Sequence, residues 1–285
     1  MSKEQFQRLE LLVGERGLAR LQAARVAVIG LGAVGSYATE ALARAGVGAL
    51  RLVDFDVVAE SNLNRQLYAL HSTVGQPKAE VARARVHDIN PDCEVEALRV
   101  FVHTDTMEEI LAGPPDLVID AIDSYNPKLE LLSALTLRQI PAVSSMGAAL
   151  RSDTTLIRLG RVNHTSICPL ARQLRKGLRK RGLVCDIPCV YSEELVDANC
   201  IEELEEDEAR VVDRGRHRRA MGSLPTMTGI FGLTVANVAL KLLLAEEEGQ
   251  CCVHAGPRQS QSVGVAHVAT PTDCAGHKGR NPLEL

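Results

Sequence analysis

The 285-residue chain has no tryptophan and draws only 3% of its residues from the aromatics, so its core must be aliphatic, packed from Leu, Val, Ile and Ala. It has no surplus of positive charge: the formal net charge is −4, which excludes a global basic field for nucleic acid and leaves only a local patch open. No Cys-x-x-Cys pair occurs. The eight cysteines (Cys93, Cys168, Cys185, Cys189, Cys200, Cys251, Cys252, Cys274) are scattered, which offers neither a disulfide framework nor paired zinc ligands, and no structural zinc is expected. Residues 2–25 are charged and helical in pattern, unlike a signal peptide. The expectation is a reducing, cytoplasmic compartment with mostly free thiols. No internal repeat is visible. One run, Thr226–Ala245, approaches membrane length, but Asn237 and Lys241 inside it would be costly in lipid, so it reads as a buried helix and no membrane anchor is expected.

What is present suits an ordinary globular protein: 46% apolar and 24% charged residues. Residues 4–22 read as a helix with Leu9, Leu12 and Leu21 inward. Arg25–Ile29 is a short β run, Gly30–Gly35 leads into a helix ending near Gly46, and Leu50–Val53 is a second strand. Phe55–Tyr68 is polar and aperiodic, a loop with a function. Pro77 suits the first turn of a helix that should stop at Asn90, before Pro91. A strand over Val95–Val102, a short helix near Met107–Leu111 and a buried strand at Asp116–Ala121 follow. Asn126-Pro127 caps a helix to Gln139, and Ile140–Ser145 is the next strand. This alternation predicts a doubly wound, mostly parallel α/β sheet of Rossmann type over about residues 25–150. The extension from about 151 to 248 is less regular: a strand at Thr154–Leu159, a basic helix at Arg172–Arg181, an acidic run at Glu202–Glu208, a basic run at Arg214–Arg219, and the apolar helix from Thr226. Residues 1–248 are expected to form one domain. Residues 249–285, rich in Gly, Pro and Gln without periodicity, are expected to be a disordered tail.

The chemistry concentrates between the first strand and the helices that follow. Gly30-Leu-Gly-Ala-Val-Gly35 sits where Gly30 permits a tight turn, Gly32 lets the backbone approach a phosphate, and Gly35 permits close helix–sheet contact. Asp54 ends the next strand about twenty residues on, placed for ribose hydroxyls. Asn62, Arg65 and Gln66 on the polar loop and Lys78 at a helix start supply side chains, two of them cationic, suited to a triphosphate. Asp123, at the carboxyl end of the fourth strand, could hold magnesium. A nicotinamide oxidoreductase would have no use for Arg65 and Lys78. A catalytically dead scaffold would have no use for the whole set of Asp54, Asn62, Arg65, Lys78 and Asp123. The helix bearing Arg172, Arg175, Lys176, Arg179, Lys180 and Arg181 contains no acidic residue. It is either a solvated face or a contact for an RNA backbone.

The order Gly30-Leu-Gly-Ala-Val-Gly35, Asp54-Phe-Asp56, Ser61-Asn-Leu-Asn-Arg65-Gln66, Val74-Gly-Gln-Pro-Lys78 and Asp120-Ala-Ile-Asp123 resembles the adenylation domain of ubiquitin-activating E1 enzymes and their bacterial relatives, over roughly residues 8–150. The resemblance implies that Asp54, with Asp56 beside it, binds ribose. It also implies that Asn62, Arg65, Gln66 and Lys78 surround ATP and that Asp123 coordinates Mg2+. Arg65, Lys78 and Asp123 become the catalytic candidates. It implies a homodimer in which an N-terminal arginine, here Arg8, completes the neighbouring site. A narrower resemblance, carried by Ala121-Ile-Asp-Ser124, Cys168-Pro-Leu-Ala171, Val190-Tyr-Ser-Glu193 and Gly222-Ser-Leu-Pro, is to tRNA threonylcarbamoyladenosine dehydratases. That implies a tRNA substrate, a carboxylate activated by adenylation and then cyclised, tRNA contacts on Arg172, Arg175, Lys176, Arg179 and Lys180, and room for a sulfur-relay partner. The rival within the superfamily is an adenylyltransferase acting on the C-terminus of a ubiquitin-like or sulfur-carrier protein. The missing zinc cysteines and the basic helix count against it. No cysteine lies between Cys200 and Cys251, so a thioester has no clear carrier.

Overall fold

The computed structural model describes residues 3–196, 201–203 and 219–245, and the residues to Ala245 form one compact unit. The tail beyond Gly249, the acidic run beyond Glu203 and the basic run before Arg219 lie outside the described residues. The elements are, in order, α1 (Lys3–Ala23), β1 (Arg25–Ile29), α2 (Gly35–Arg44), β2 (Ala49–Val53), α3 (Lys78–Ile89), β3 (Glu94–Leu98), α4 (Met107–Ile110), β4 (Leu117–Asp120), α5 (Tyr125–Arg138), β5 (Ala142–Ser145), β6 (Ile157–Arg161), α6 (Pro169–Lys180), β7 (Pro188–Ser192), β8 (Ile201–Glu203), β9 (Arg219–Met221) and α7 (Pro225–Leu244).

Seven strands make one sheet in the order β3-β2-β1-β4-β5-β7-β6, parallel except for β6, which runs antiparallel to β7; β8 and β9 form a separate antiparallel pair. The strand alternation divides the core. Val26 and Val28 of β1 pack on one face with Leu42, Val86, Phe231 and Val235 of α2, α3 and α7, whereas Ala27 and Ile29 pack on the other with Leu131, Leu132, Leu174 and Leu178 of α5 and α6.

Several boundaries differ from the sequence expectation. Residues 4–22 are helical, but Gly14 (φ 75°) breaks α1, so a single inward stripe does not run through it; Leu21 is buried while Leu12 is 83% exposed. Pro77 is the extended residue before α3 rather than part of its first turn. Ser124, not Asn126, precedes α5. The third strand ends at Leu98 rather than Val102. Thr154–Leu156 is a 3-10 turn ahead of β6, and the basic helix begins at Pro169. β7, a strand between β5 and β6 buried from Cys189 to Ser192, had no period-2 signal to announce it.

The apolar run is long and apolar enough to cross a membrane, yet it packs as a core helix. Met227, Phe231, Val235, Ala236 and Ala239 are buried in the core shared with the sheet and α2. A Cβ on Gly232 would stand 2.4 Å from the Val34 carbonyl oxygen, so only glycine lets α7 sit this close to α2. Gly232→Val should therefore destabilise the protein by about 1–3 kcal/mol through overpacking. Thermal unfolding should show a midpoint lower by about 2–12 °C. Leu233→Ala, on the half-exposed flank of the same helix, should cost less than about 0.5 kcal/mol.

Candidate active site

Strand order reverses between β1 and β4, and the crevice of an open parallel sheet lies at the carboxyl ends of the strands at such a switch point. Ile29 is in register with both Val53 and Asp120, which brings Gly30, Asp54 and Ala121 to one level. Gly30 has φ 90°, and a Cβ there would meet the Ala121 carbonyl oxygen at 2.9 Å. At Gly35 a Cβ would fall 1.7 Å from the Gly30 carbonyl oxygen, so α2 starts directly on the turn. Gly32 differs: the nearest atom to its absent Cβ is Nε2 of Gln66 at 3.8 Å, so its backbone borders open space. The helix N-terminus beyond it favours an anion.

Asp54 ties this turn to the next strand. One carboxylate oxygen accepts the Leu31 N–H at 2.7 Å, the other the Asp56 N–H at 2.9 Å. Burial pushes its carboxyl above the usual range, against the pull of the Lys78 charge and these two N–H groups. Lys78 does not stand on an open rim, as charge alone would suggest. It is 5% exposed, and its Nζ lies 3.2 Å from Oδ2 of Asp56. Its ammonium still acts on Asp54, so the three residues form one buried charge cluster.

The polar loop is internally stitched. Asn62 Oδ1 accepts the Ala59 N–H at 3.1 Å, the Leu67 N–H donates to Ser36 Oγ at 3.2 Å, and Gln66 is buried against the glycine turn. Asn62 thus shapes the loop. Arg65 Nη1 donates to the Ser61 carbonyl and to Asn64 Oδ1, each at 2.8 Å. Burial lowers the Arg65 pKa while the charge of the Asp123 carboxylate opposes that shift. Asp123 itself is exposed and accepts the Ser124 hydroxyl at 3.2 Å.

Beneath Asp123 lies a network that the sequence reading did not identify. Lys128 and Asp120 are fully buried, with Nζ 2.7 Å from Oδ2 of Asp120. Lys128 also donates to the Ile122 carbonyl at 2.9 Å, Ser144 Oγ donates to Asp120 Oδ2 at 2.6 Å, and the Ile122 N–H reaches Asp120 Oδ1 at 3.2 Å. Helix α5, strands β4 and β5 and the turn carrying Asp123 meet in this one cluster. Only the six-residue gap from Ile122 to Lys128, with helix beginning at Tyr125, hinted at it.

The basic helix is less uniformly free than its composition suggests. Arg181 pairs with Glu130, and Arg175 turns inward to Thr165 Oγ1 and the Val162 carbonyl. Arg172, Lys176, Arg179 and Lys180 remain exposed, without an ion pair to any described residue. Gly177 abuts the Tyr125 hydroxyl and Leu129, which seats this helix beside the start of α5, two residues past Asp123. Arg8 is exposed on α1. The described cysteines, Cys93, Cys168, Cys185 and Cys189, are free and buried, and burial pushes the Cys189 thiol up to about 12, far from a reactive thiolate.

Together these features define a doubly wound α/β protein with a glycine turn and a helix N-terminus at its switch point. The ThiF family profile matches residues 4–266, and the chain belongs to the ThiF family. It is 41% identical over 229 residues to the tRNA threonylcarbamoyladenosine dehydratase of Bacillus subtilis, covering 79% of this chain and 90% of that protein. The crystal structure of the E. coli tRNA N6-threonylcarbamoyladenosine dehydratase TcdA in complex with ATP matches with TM-score 0.75 at 34% identity, covering 85% of this chain and 94% of that one. The Salmonella typhimurium molybdopterin-synthase adenylyltransferase is also 41% identical, but over 137 residues, 48% of this chain.

Removing one partner of a buried ion pair leaves an uncompensated charge, at a cost of about 3–5 kcal/mol. Lys128→Met should show that loss in chemical denaturation. The double variant Asp120→Leu/Lys128→Met should recover part of it, and equal instability of the two would contradict the pairing.

Proposed function

We propose that this chain is an ATP-dependent tRNA threonylcarbamoyladenosine dehydratase that activates the threonyl carboxylate by adenylation. The observation that carries this reading is the reach of the likeness. It covers 79% of the chain at 41% identity for the B. subtilis dehydratase, whereas the molybdopterin-synthase adenylyltransferases of Salmonella typhimurium and Haemophilus influenzae match 48% of it at 41% and 68% of it at 30%. In the reaction a carboxylate oxygen attacks the α-phosphorus and pyrophosphate leaves. A nitrogen of the modified adenosine or its carbamoyl group then attacks the acyl carbon and AMP leaves. The net change is loss of one water from the nucleoside.

The glycine turn and the N-terminus of α2 take the phosphates, and Asp54 takes the ribose while keeping the turn in place. Arg65 sets its charge against the developing negative charge of the transfer. Lys78 spends one donor on Asp56 and has two more for phosphate oxygens. No group of three or more His, Cys, Asp or Glu able to hold a metal occurs among the described residues. Asp123, a single exposed carboxylate, fits Mg2+ held jointly with phosphates and waters, and such an ion would offset phosphate charge. Arg172, Lys176, Arg179 and Lys180 take the tRNA backbone beside the crevice, whereas Arg175 holds the helix in position. A homodimer completed by Arg8, a sulfur-relay partner and a cytoplasmic location belong to the same reading.

The test is a single reaction of the full chain with ATP, magnesium and tRNA carrying linear threonylcarbamoyladenosine, followed by mass analysis of the nucleosides. The expected result is ATP-dependent loss of one water, abolished in Asp123→Asn at unchanged thermal stability. An unchanged nucleoside would redirect the reading to a protein C-terminus as substrate. Lys78→Ala should abolish turnover too, but with a lowered thermal midpoint, because it strands the buried Asp56. Lys176→Glu/Arg179→Glu should weaken tRNA binding and reduce its salt slope by about one per lost phosphate contact, leaving ATP affinity unchanged.

A further inference from the structure

The segment after β5, Met146-Gly-Ala-Ala-Leu-Arg151, is apolar or small until it ends on a cation. Arg151 is 5% exposed. Its Nη1 donates to the Gly147 carbonyl at 2.6 Å and to the Ala149 carbonyl at 2.9 Å. Nε and Nη2 are buried without a hydrogen-bond partner. No described carboxylate pairs with this guanidinium. A buried charged donor left unsatisfied is costly, so this arrangement needs a reason. The N–H groups of Nε and Nη2 point from one edge of the guanidinium plane, the fork that takes a carboxylate through two parallel hydrogen bonds.

The surroundings hold that fork in place. Leu150 adopts a left-handed φ of 62°, which is uncommon for leucine, and its N–H donates to the Gly222 carbonyl at 2.8 Å. On the other side the N–H groups of Ser152 and Asp153 bind the Glu194 carboxylate at 2.8–2.9 Å. Backbone strain of this kind persists where surrounding contacts over-determine it, and it concentrates at functional sites. The location is also suited to a ligand. β5 is parallel to β4 with Asp120 opposite Ser144, so the residues beyond Ser145 leave the sheet beside the turn that carries Asp123. The Gly147 carbonyl that holds Arg151 Nη1 lies two residues past β5, which keeps the guanidinium at the β5 end of the sheet, whereas the glycine turn follows β1 and Arg65 and Lys78 follow β2.

We propose that the Nε–Nη2 edge of Arg151 anchors the substrate carboxylate, holding it on the β5 side of the crevice for attack on the α-phosphorus. This assignment rests on the dehydratase reading above. The anion could instead be a nucleotide phosphate, and the test separates the two sources. Full-length wild type, Arg151→Gln and Arg151→Lys are compared in three measurements: equilibrium dialysis of ATP alone, kcat/KM for tRNA carrying linear threonylcarbamoyladenosine, and thermal unfolding. Losing charged hydrogen bonds of this kind should lower kcat/KM by about 10- to 150-fold in Arg151→Gln. Arg151→Lys, with the charge but not the fork, should recover only part of that loss. The Kd for ATP should stay within twofold throughout. A loss that appears in the ATP Kd instead would assign the fork to phosphate and overturn the proposal, as would unchanged kinetics in both variants.

A fourth readout guards against a folding defect. The free threonylcarbamoyladenosine nucleoside and its carboxamide analogue are compared as ligands by equilibrium dialysis, and wild type should bind the carboxylate more tightly. Loss of that preference in Arg151→Lys at an unchanged thermal midpoint supports the anchor, and an unchanged preference contradicts it. Absence of dehydration by wild type would sink the underlying reading alone, since the fork is still judged by the binding preference.

Discussion

Lys128 and Asp120 are both wholly buried, and what surrounds them explains how a rigid reaction edge can be built from short elements. A buried ion pair is tolerated only when its remaining hydrogen-bonding capacity is filled. Here Ser144 and the Ile122 N–H fill it on the acid, and the Ile122 carbonyl on the base. Because those groups belong to β4, β5, α5 and the turn between them, the pair cannot form unless all four are in place. Asp123 then protrudes from a turn whose backbone is fixed from below. The Asp123 carboxylate, whose charge acts on Arg65, is thus exposed in its side chain and constrained at its root.

The opposite wall is built on the same logic with different chemistry. Asp54 binds the N–H groups of Leu31 and Asp56, and Asp56 pairs with Lys78, so the end of β2, the glycine turn and the start of α3 are connected through carboxylates. Helix α2 adds its N-terminus because Gly35 lets it start against the Gly30 carbonyl. Both walls are preorganised by buried polar contacts, while the space bordering Gly32 stays open. In the proposed reaction a triphosphate entering there would meet fixed charges instead of reorganising them. The basic helix is seated on the first turn of α5 through Gly177.

The parts legible in the sequence are those in which a local pattern has a single physical reading. Three glycines between a strand and a helix, with an aspartate ending the next strand, specified both the turn and its place in a parallel sheet. What escaped was set by contacts between distant segments. Arg181 looks as free as Lys180 in the sequence, but Glu130, fifty-one residues away, pairs with it. Lys78 looks like a rim cation until Asp56 is folded beneath it. β7 carries no alternation because both of its faces are covered, and Leu12 lost its expected burial to a backbone break at Gly14. Lys128 is the clearest case: a lysine in an ordinary helical stretch, six residues past Ile122, gives only a faint sign that it will be wholly buried.

The most direct test of carboxylate activation follows oxygen rather than product mass. The threonyl carboxylate of the modified tRNA would be labelled with oxygen-18 and the nucleotide products of one turnover analysed. If the carboxylate is adenylated at this site, one labelled oxygen must leave with AMP, because ring closure breaks the acyl carbon–oxygen bond. Label in pyrophosphate or inorganic phosphate, or unlabelled AMP, would contradict adenylation of the carboxylate and with it the proposed role of the crevice.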